Sequence, residues 1–217
     1  MTNSRQKNTR SRTRKASVNS PVGERCPWTG INDPLYAKYH DREWGVPQTD
    51  DRILFEKLTL EAFQSGLSWL TILKKRDNFR KAFNEFDTAR IARYKQKDID
   101  RLMADAGIVR NRLKILATID NAKAYENLIK HTRFASFLWE FVDGSPIINH
   151  PSSMRDVASQ TDISKQMSTA LKKEGFRFVG PTTMYALMQA MGMVNDHLIT
   201  CPRHDPCSKL QRNFRAP

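Results

Sequence analysis

An all-α fold is predicted for this 217-residue chain, on three observations. From about Cys26 onward, apolar residues recur at spacings of three and four, the period of one helix face. The strict alternation that marks half-buried strands is scarce. Cap and stop residues stand where the apolar runs begin and end. There is no internal repeat of fixed period.

Residues 1–23 carry Arg5, Lys7, Arg10, Arg12, Arg14 and Lys15, with no acid and almost no apolar side chain. Such a segment cannot bury enough surface to offset its ordering entropy, so it reads as a disordered basic tail. It lacks the apolar stretch of a secretory signal. A solvated tail and a non-specific phosphate-binding arm both fit its composition. Next, DDRILFEKLTLEAFQSG opens on acidic cap candidates and stops at Gly66. LSWLTILKKRDNFRKAFNEF keeps the helical spacing, DTARIARY opens on an Asp cap, and KQKDIDRLMADAG is predicted to stop at Gly107. NRLKILATIDNAKAYENLIK is long and amphipathic, and FASFLWEFV is a short apolar helix. ISKQMSTALKKEG and PTTMYALMQAMG close the series. The helical domain is expected over residues 24–205, as two lobes with a groove between them, followed by a C-terminal tail at 206–217.

Lys and Arg total 36 against 23 Asp and Glu, a net charge of +13. Beyond residue 23 the balance is still +7, so the folded part shares the bias. A polyanionic partner is implied, nucleic acid first. No apolar run approaches the ~18 residues of a membrane span. Three cysteines are too few, and odd in number, for a disulfide framework, and fit reduced thiols inside a cell.

Two thiols and two imidazoles are candidates for one zinc shell. His197 and Cys201 are four apart, which on a helix would put them on one face. Cys26 and His40 lie far upstream. Cys2His2 fills a tetrahedron and leaves no open position, so such a site is structural and pins the chain's two ends together. His204 and Cys207 are rival ligands, and ordinary buried thiols and hydrogen-bonded imidazoles would also account for the residues.

LKKEGFRFVGPTTMYALMQ reads as helix, tight turn, helix. Gly175 suits a left-handed stop. Gly180 permits close backbone approach, and Pro181 suits the first position of the next helix. Unpaired N–H groups there would receive a DNA phosphate, with Lys172, Lys173 and Arg177 adding charge. A plain helical hairpin is the alternative.

Leu54, Leu58 and Glu61 share one narrow helical face, so Glu61 stands where a core residue is expected. A buried carboxylate is costly unless paired or functional. Trp28, Tyr36, Tyr39, Trp44 and Trp69 crowd the same region. Core packing is their default. Rings around one acid could instead hold a flat, cationic or donor-rich heterocycle.

ERCPW, DPLYAKYHDREWGVP, LEAFQSGLSWLTILKKR, DAGIVRNRLKI and FVGPTTMYALMQAMGMVNDH, in this order from Glu24 to about Cys201, resemble the DNA-3-methyladenine glycosylase I family. The resemblance implies a two-lobed helix-hairpin-helix DNA glycosylase fold. Its substrate would be double-stranded DNA carrying an alkylated base, from which 3-methyladenine is excised. The family's zinc site falls on Cys26, His40, His197 and Cys201, and its base-binding glutamate on Glu61. Tyr39 and Trp69 would stack on the base from either side, with Trp28 and Trp44 lining the site. A wedge propping the duplex open would fall at Gly66 and Leu67, and Gly175, Arg177, Gly180 and Thr182 would face DNA. Thr182 stands where Schiff-base relatives carry a lysine, so strand cleavage is not expected. Asn195 stands where many relatives place an aspartate, and neighbouring Asp196 is read as a hydrogen-bonding residue of the zinc lobe. A monomeric, cytoplasmic, nucleoid-associated bacterial enzyme is expected. A non-catalytic, zinc-stabilised DNA-binding module would share the charge, hairpin and metal, but would not need an acid among tryptophans. A zinc hydrolase is the remaining alternative.

Overall fold

The computed structural model describes residues 23–217, so all but the last residue of the expected basic tail lies outside the described residues. The elements are α1 (Pro34–Arg42), α2 (Asp51–Gln64), α3 (Trp69–Ala82), α4 (Thr88–Ile91), α5 (Gln96–Ala104), α6 (Arg112–Leu128), α7 (Phe134–Trp139), α8 (Asp162–Lys173), α9 (Pro181–Ala190) and α10 (His204–Arg212). One short parallel pair departs from the all-helical pattern: β1 (Ile147–Ile148) lies beside β2 (Val194–Asn195).

Helix starts follow cap chemistry. Asp33, Asp50, Ser68, Asp87, Asn111 and Thr161 each accept a backbone N–H that the first turn leaves unpaired. Helix α2 lies at the centre, packed against α3, α6, α7 and α9. Its apolar face, with Leu54, Phe55, Leu58 and Phe63 fully buried, joins one core shared by both halves of the chain.

Helix α8 ends as its glycine predicts. Gly175 takes φ +94°, its N–H reaches Lys172 O, and the Phe176 N–H reaches Leu171 O. Buried Asn121 of α6 then clamps the hairpin, accepting from the Arg177 N–H at 2.7 Å and donating to Arg177 O at 3.0 Å. Pro181 opens α9 behind Gly180, where an added Cβ would meet nothing within 4 Å.

Three expectations need correction. Helix α5 stops at Ala104, because Asp105 turns its carboxylate back onto the Gly107 N–H at 2.7 Å. His197 and Cys201 share no helix. The chain leaves β2 extended and then turns, with the Cys201 N–H on Leu198 O.

Residues 206–217 are not a tail. Helix α10 buries Cys207, Ser208 and Gln211 and leaves its one leucine, Leu210, half exposed. Polar contacts hold it: Gln211 Nε2 donates to Gly45 O and Gly192 O, and Cys207 Sγ donates to Gly45 O. Phe214 then packs on Trp139 with ring centroids 4.4 Å apart. Apolar periodicity carries no trace of such docking, since the buried face is mostly small and polar.

Gly192, at φ +76°, lies so close to the Val46 carbonyl and Pro47 nitrogen that a Cβ would overlap both. Gly192→Ala therefore combines backbone strain with overpacking. The expected loss is roughly 2–4 kcal/mol, read as a lower urea midpoint at unchanged slope.

Candidate active site and metal centre

A cleft of about 610 Å³ opens between α1–α3 on one side and α9 with residues 154–159 on the other. Trp28, Tyr36, Tyr39, Trp44 and Trp69 all line it, and so does Glu61. Helix α2 carries Glu61 two turns beyond Leu54 and one beyond Leu58, on the buried stripe that its spacing predicts. Glu61 is 5% exposed. Among the described residues its carboxylate has no hydrogen-bond or ion-pair partner. Nearby arginines are engaged elsewhere: Arg76 with Glu43, and Arg80 with Glu56.

Burial pushes the Glu61 carboxyl up to about 8, opposed by the Lys57 charge one turn back on the same helix. Lys57 is anchored through its Nζ to Ala190 O at 2.9 Å, 5.8 Å from the Tyr39 ring centroid. Desolvation, and then the Glu61 charge, raises the phenols of Tyr36, to about 12, and of Tyr39. The same small volume thus holds one unpaired acid and rings that stay neutral beside it.

The rings are not arranged as a slot. Tyr39 and Trp69 have centroids 5.4 Å apart at 53°, so they touch each other. A flat base held between two parallel walls needs them about 7 Å apart, twice an ordinary carbon contact. Between Tyr39 and Trp69 the structure therefore leaves no parallel slot. Trp28 meets Trp44 edge-on at 4.6 Å, and both line the same cleft.

The sequence reading missed the far wall. Met154, Val157, Ala158 and Ser159 come from an irregular stretch with no periodicity to mark it. Thr182, Tyr185, Ala186 and Gln189 also line the cleft, and their i, i+3, i+4, i+7 spacing was a signal that could have been followed. Thr182 faces this cleft, so no amine stands there. Buried Asp196 accepts from Asn149 Nδ2, Tyr185 Oη and Gln189 Nε2, each at 2.7 Å. It is a brace beneath the α9 wall. Asn195 donates to His204 O and Ser208 Oγ and ties β2 to α10.

Of the expected DNA-facing residues, Thr182 lines the cleft, while Gly66, Leu67, Gly175, Arg177 and Gly180 do not. Gly66 takes φ +81°, and Leu67 beyond it is 42% exposed. Gly180 is unobstructed. Arg177 is half exposed and spends charge on Asp120 at 2.7 Å.

At the cleft's back, Cys26, His40, His197 and Cys201 converge, with ligand atoms all within 4.8 Å of one another. Cys201 Sγ lies 3.6 Å from His40 Nε2 and 3.6 Å from His197 Nδ1, and Cys26 Sγ lies 3.7 Å from His197 Nδ1. A tetrahedral zinc with ordinary Zn–S and Zn–N bonds has S···N edges of roughly 3.6 Å, so the donor set fits that ion. His204 and Cys207 fall outside it. His204 Nε2 bonds Asn149 O, and Cys207 bonds Gly45 O.

Outer partners orient the imidazoles. His40 Nδ1 lies 2.9 Å from Asp41 Oδ1, and Arg25 clamps Asp41 from the other side. His197 Nε2 faces Trp44 O at 3.3 Å. Each ring therefore turns its remaining nitrogen toward the sulfurs. Burial also lowers His197, favouring the neutral form a metal needs. Trp44 links the two centres, since it lines the cleft and touches His197 edge-on at 4.6 Å.

A sequence model of the methyladenine glycosylase family matches residues 28–204. The DNA-3-methyladenine glycosylase of Haemophilus influenzae is 49% identical over 179 residues, 82% of this chain and 96% of that one. A crystal structure of 3-methyladenine DNA glycosylase I is similar at a TM-score of 0.81 and 49% identity, over 83% of this chain and 100% of the other. A point variant of 3-methyladenine DNA glycosylase I, solved in complex with 3-methyladenine, is similar at 0.78 and 38% identity, over 81% and 95%.

Proposed function

The chain belongs to the methyladenine glycosylase family, hydrolases of N-glycosyl bonds, and from that premise we propose that it excises 3-methyladenine from alkylated double-stranded DNA. The observation that carries the reading is Glu61, an unpaired buried acid in a cleft lined by six aromatic side chains. Reaching a base inside a duplex requires turning it out of the stack. The extruded purine lies against the outer face of Tyr39 or Trp69, with its exocyclic amine toward Glu61. Leu67 fills the gap left behind. The α9 N-terminus behind Gly180, with Lys172 and Lys173 at the end of α8, receives phosphates.

N3-methylation makes the purine cationic and weakens its bond to the sugar. The C1′–N bond breaks with its electron pair passing to the purine, which leaves neutral. Water adds to C1′ and gives up a proton. The leaving group needs no general acid, and none is required at Asn195. Once ionised, Glu61 answers the positive base with a negative charge in a water-poor site, which also selects against neutral adenine. Asp196 has its oxygens occupied by three donors and serves to hold Tyr185 and Gln189.

The four buried ligands are those of a closed structural zinc site, and the ion would supply cohesion between chain ends. The reaction stays with the cleft residues. Incubating the full chain with methylated duplex DNA and separating the released bases tests the function. Free 3-methyladenine is the expected product. Duplex binding with no released base would leave the non-catalytic DNA-binding module instead.

A further inference from the structure

Lys114 is buried on α6, 7% exposed, in the first turn where the helix dipole disfavours a cation. Its ammonium donates to Phe63 O at 2.8 Å and Ser65 O at 2.7 Å. Both are carbonyls at the end of α2, which has no further helical turn to satisfy them. The Leu67 N–H takes the carbonyl between them, Gln64 O, at 2.6 Å. The turn so fastened joins the helix that carries Glu61 to Ser68 and Trp69 at the start of α3. Its tip is apolar and outward: Leu67 is 42% exposed, and an added Cβ at Gly66 would meet nothing within 4 Å.

A charge placed at the wrong helix end, and taken out of water, persists where it fixes something else. We propose that Lys114 is a positioning residue which locks the 65–67 turn, so that Leu67 enters the duplex as a preformed wedge. The inference rests on the glycosylase reading. In a loose turn, Leu67 would have to be ordered at the moment of binding, weakening the hold on gapped DNA. The cleft draws on α1, α2, α3, α9 and residues 154–159, and Lys114 is not among the residues that line it.

The test uses the full chain as wild type, Lys114→Met, Lys114→Arg, Leu67→Ala and the Lys114→Met/Leu67→Ala double variant. Two affinities are measured: for a duplex with one stable abasic-site analogue, and for free 3-methyladenine by tryptophan fluorescence. Lys114→Met is expected to weaken duplex binding about tenfold and leave free-base affinity unchanged. Lys114→Arg recovers part of the loss. The double variant is no weaker than the worse single variant, since both remove one device. If Lys114→Met does not fold, Lys114→Gln, which keeps a donor, is read the same way. Wild-type duplex affinity in Lys114→Met, additive losses, or equal loss of both affinities would overturn the proposal. Wild-type protein that releases no 3-methyladenine would instead overturn the enzymatic reading, because the duplex coupling is measured without turnover.

Discussion

Glu61→Gln is expected to lower 3-methyladenine excision by about a hundredfold or more while binding to abasic duplex stays near wild type. Glutamine keeps the shape and one acceptor, so the pocket stays closed and base stacking survives. What disappears is the charge facing a cationic purine. Single-turnover excision and equilibrium duplex binding, measured on the same preparation, separate the two. Excision equal to wild type would remove Glu61 from the chemistry.

The same substitution has a second, opposite signature. Burial raises Glu61 to about 8 in the folded protein, so the folded state holds this proton more tightly than the unfolded chain. Stability tied to it is therefore complete below the unfolded carboxyl range, near 4.5, and is lost as pH rises through about 8. Each unit of difference is worth about 1.4 kcal/mol. Glu61→Gln should match wild type in unfolding free energy at pH 4 and exceed it by a few kcal/mol at pH 8. The wild-type kcat/KM should climb with pH toward about 8, where free Glu61 ionises, and that limb should be missing in the glutamine variant. An enzyme less stable with its working residue than without it is the expected sign of a carboxylate kept for function.

Removal of the proposed zinc is expected to be the second large effect. One zinc per chain is expected by elemental analysis of the purified protein. Cys201→Ser, or a strong chelator in mild denaturant, is expected to cost several kcal/mol and lower the melting temperature sharply. The four ligands join residues 26 and 40 to 197 and 201, so their release frees both chain ends at once. Trp44 loses its contact with His197, and the cleft rim loosens with it. Excision should fall with the folded fraction rather than ahead of it, and cobalt exchange should leave it intact. A metal-free protein with unchanged melting temperature would refute the structural site. A folded metal-free protein that no longer turns over would point to a zinc hydrolase.

The sequence by itself determined the helices and the stripe that buries Glu61. Helix periodicity and caps are local physics: Asp50, Ser68 and Asn111 begin helices wherever the rest of the chain lies. Choosing the four candidate metal ligands depended on resemblance as well, since spacing alone left His204 and Cys207 open. Only tertiary structure could decide what depends on distance between segments remote in the chain. It brought Asp41 and Arg25 behind His40, set Lys114 under a turn 49 residues away, and placed the 154–159 wall opposite the tryptophans. It also put Tyr39 against Trp69, where the resemblance implied a base between them. Helix α10 makes the point most sharply: its docking rests on hydrogen bonds to Gly45 and Gly192, and a hydrogen bond to a distant carbonyl leaves no period in the sequence that makes it.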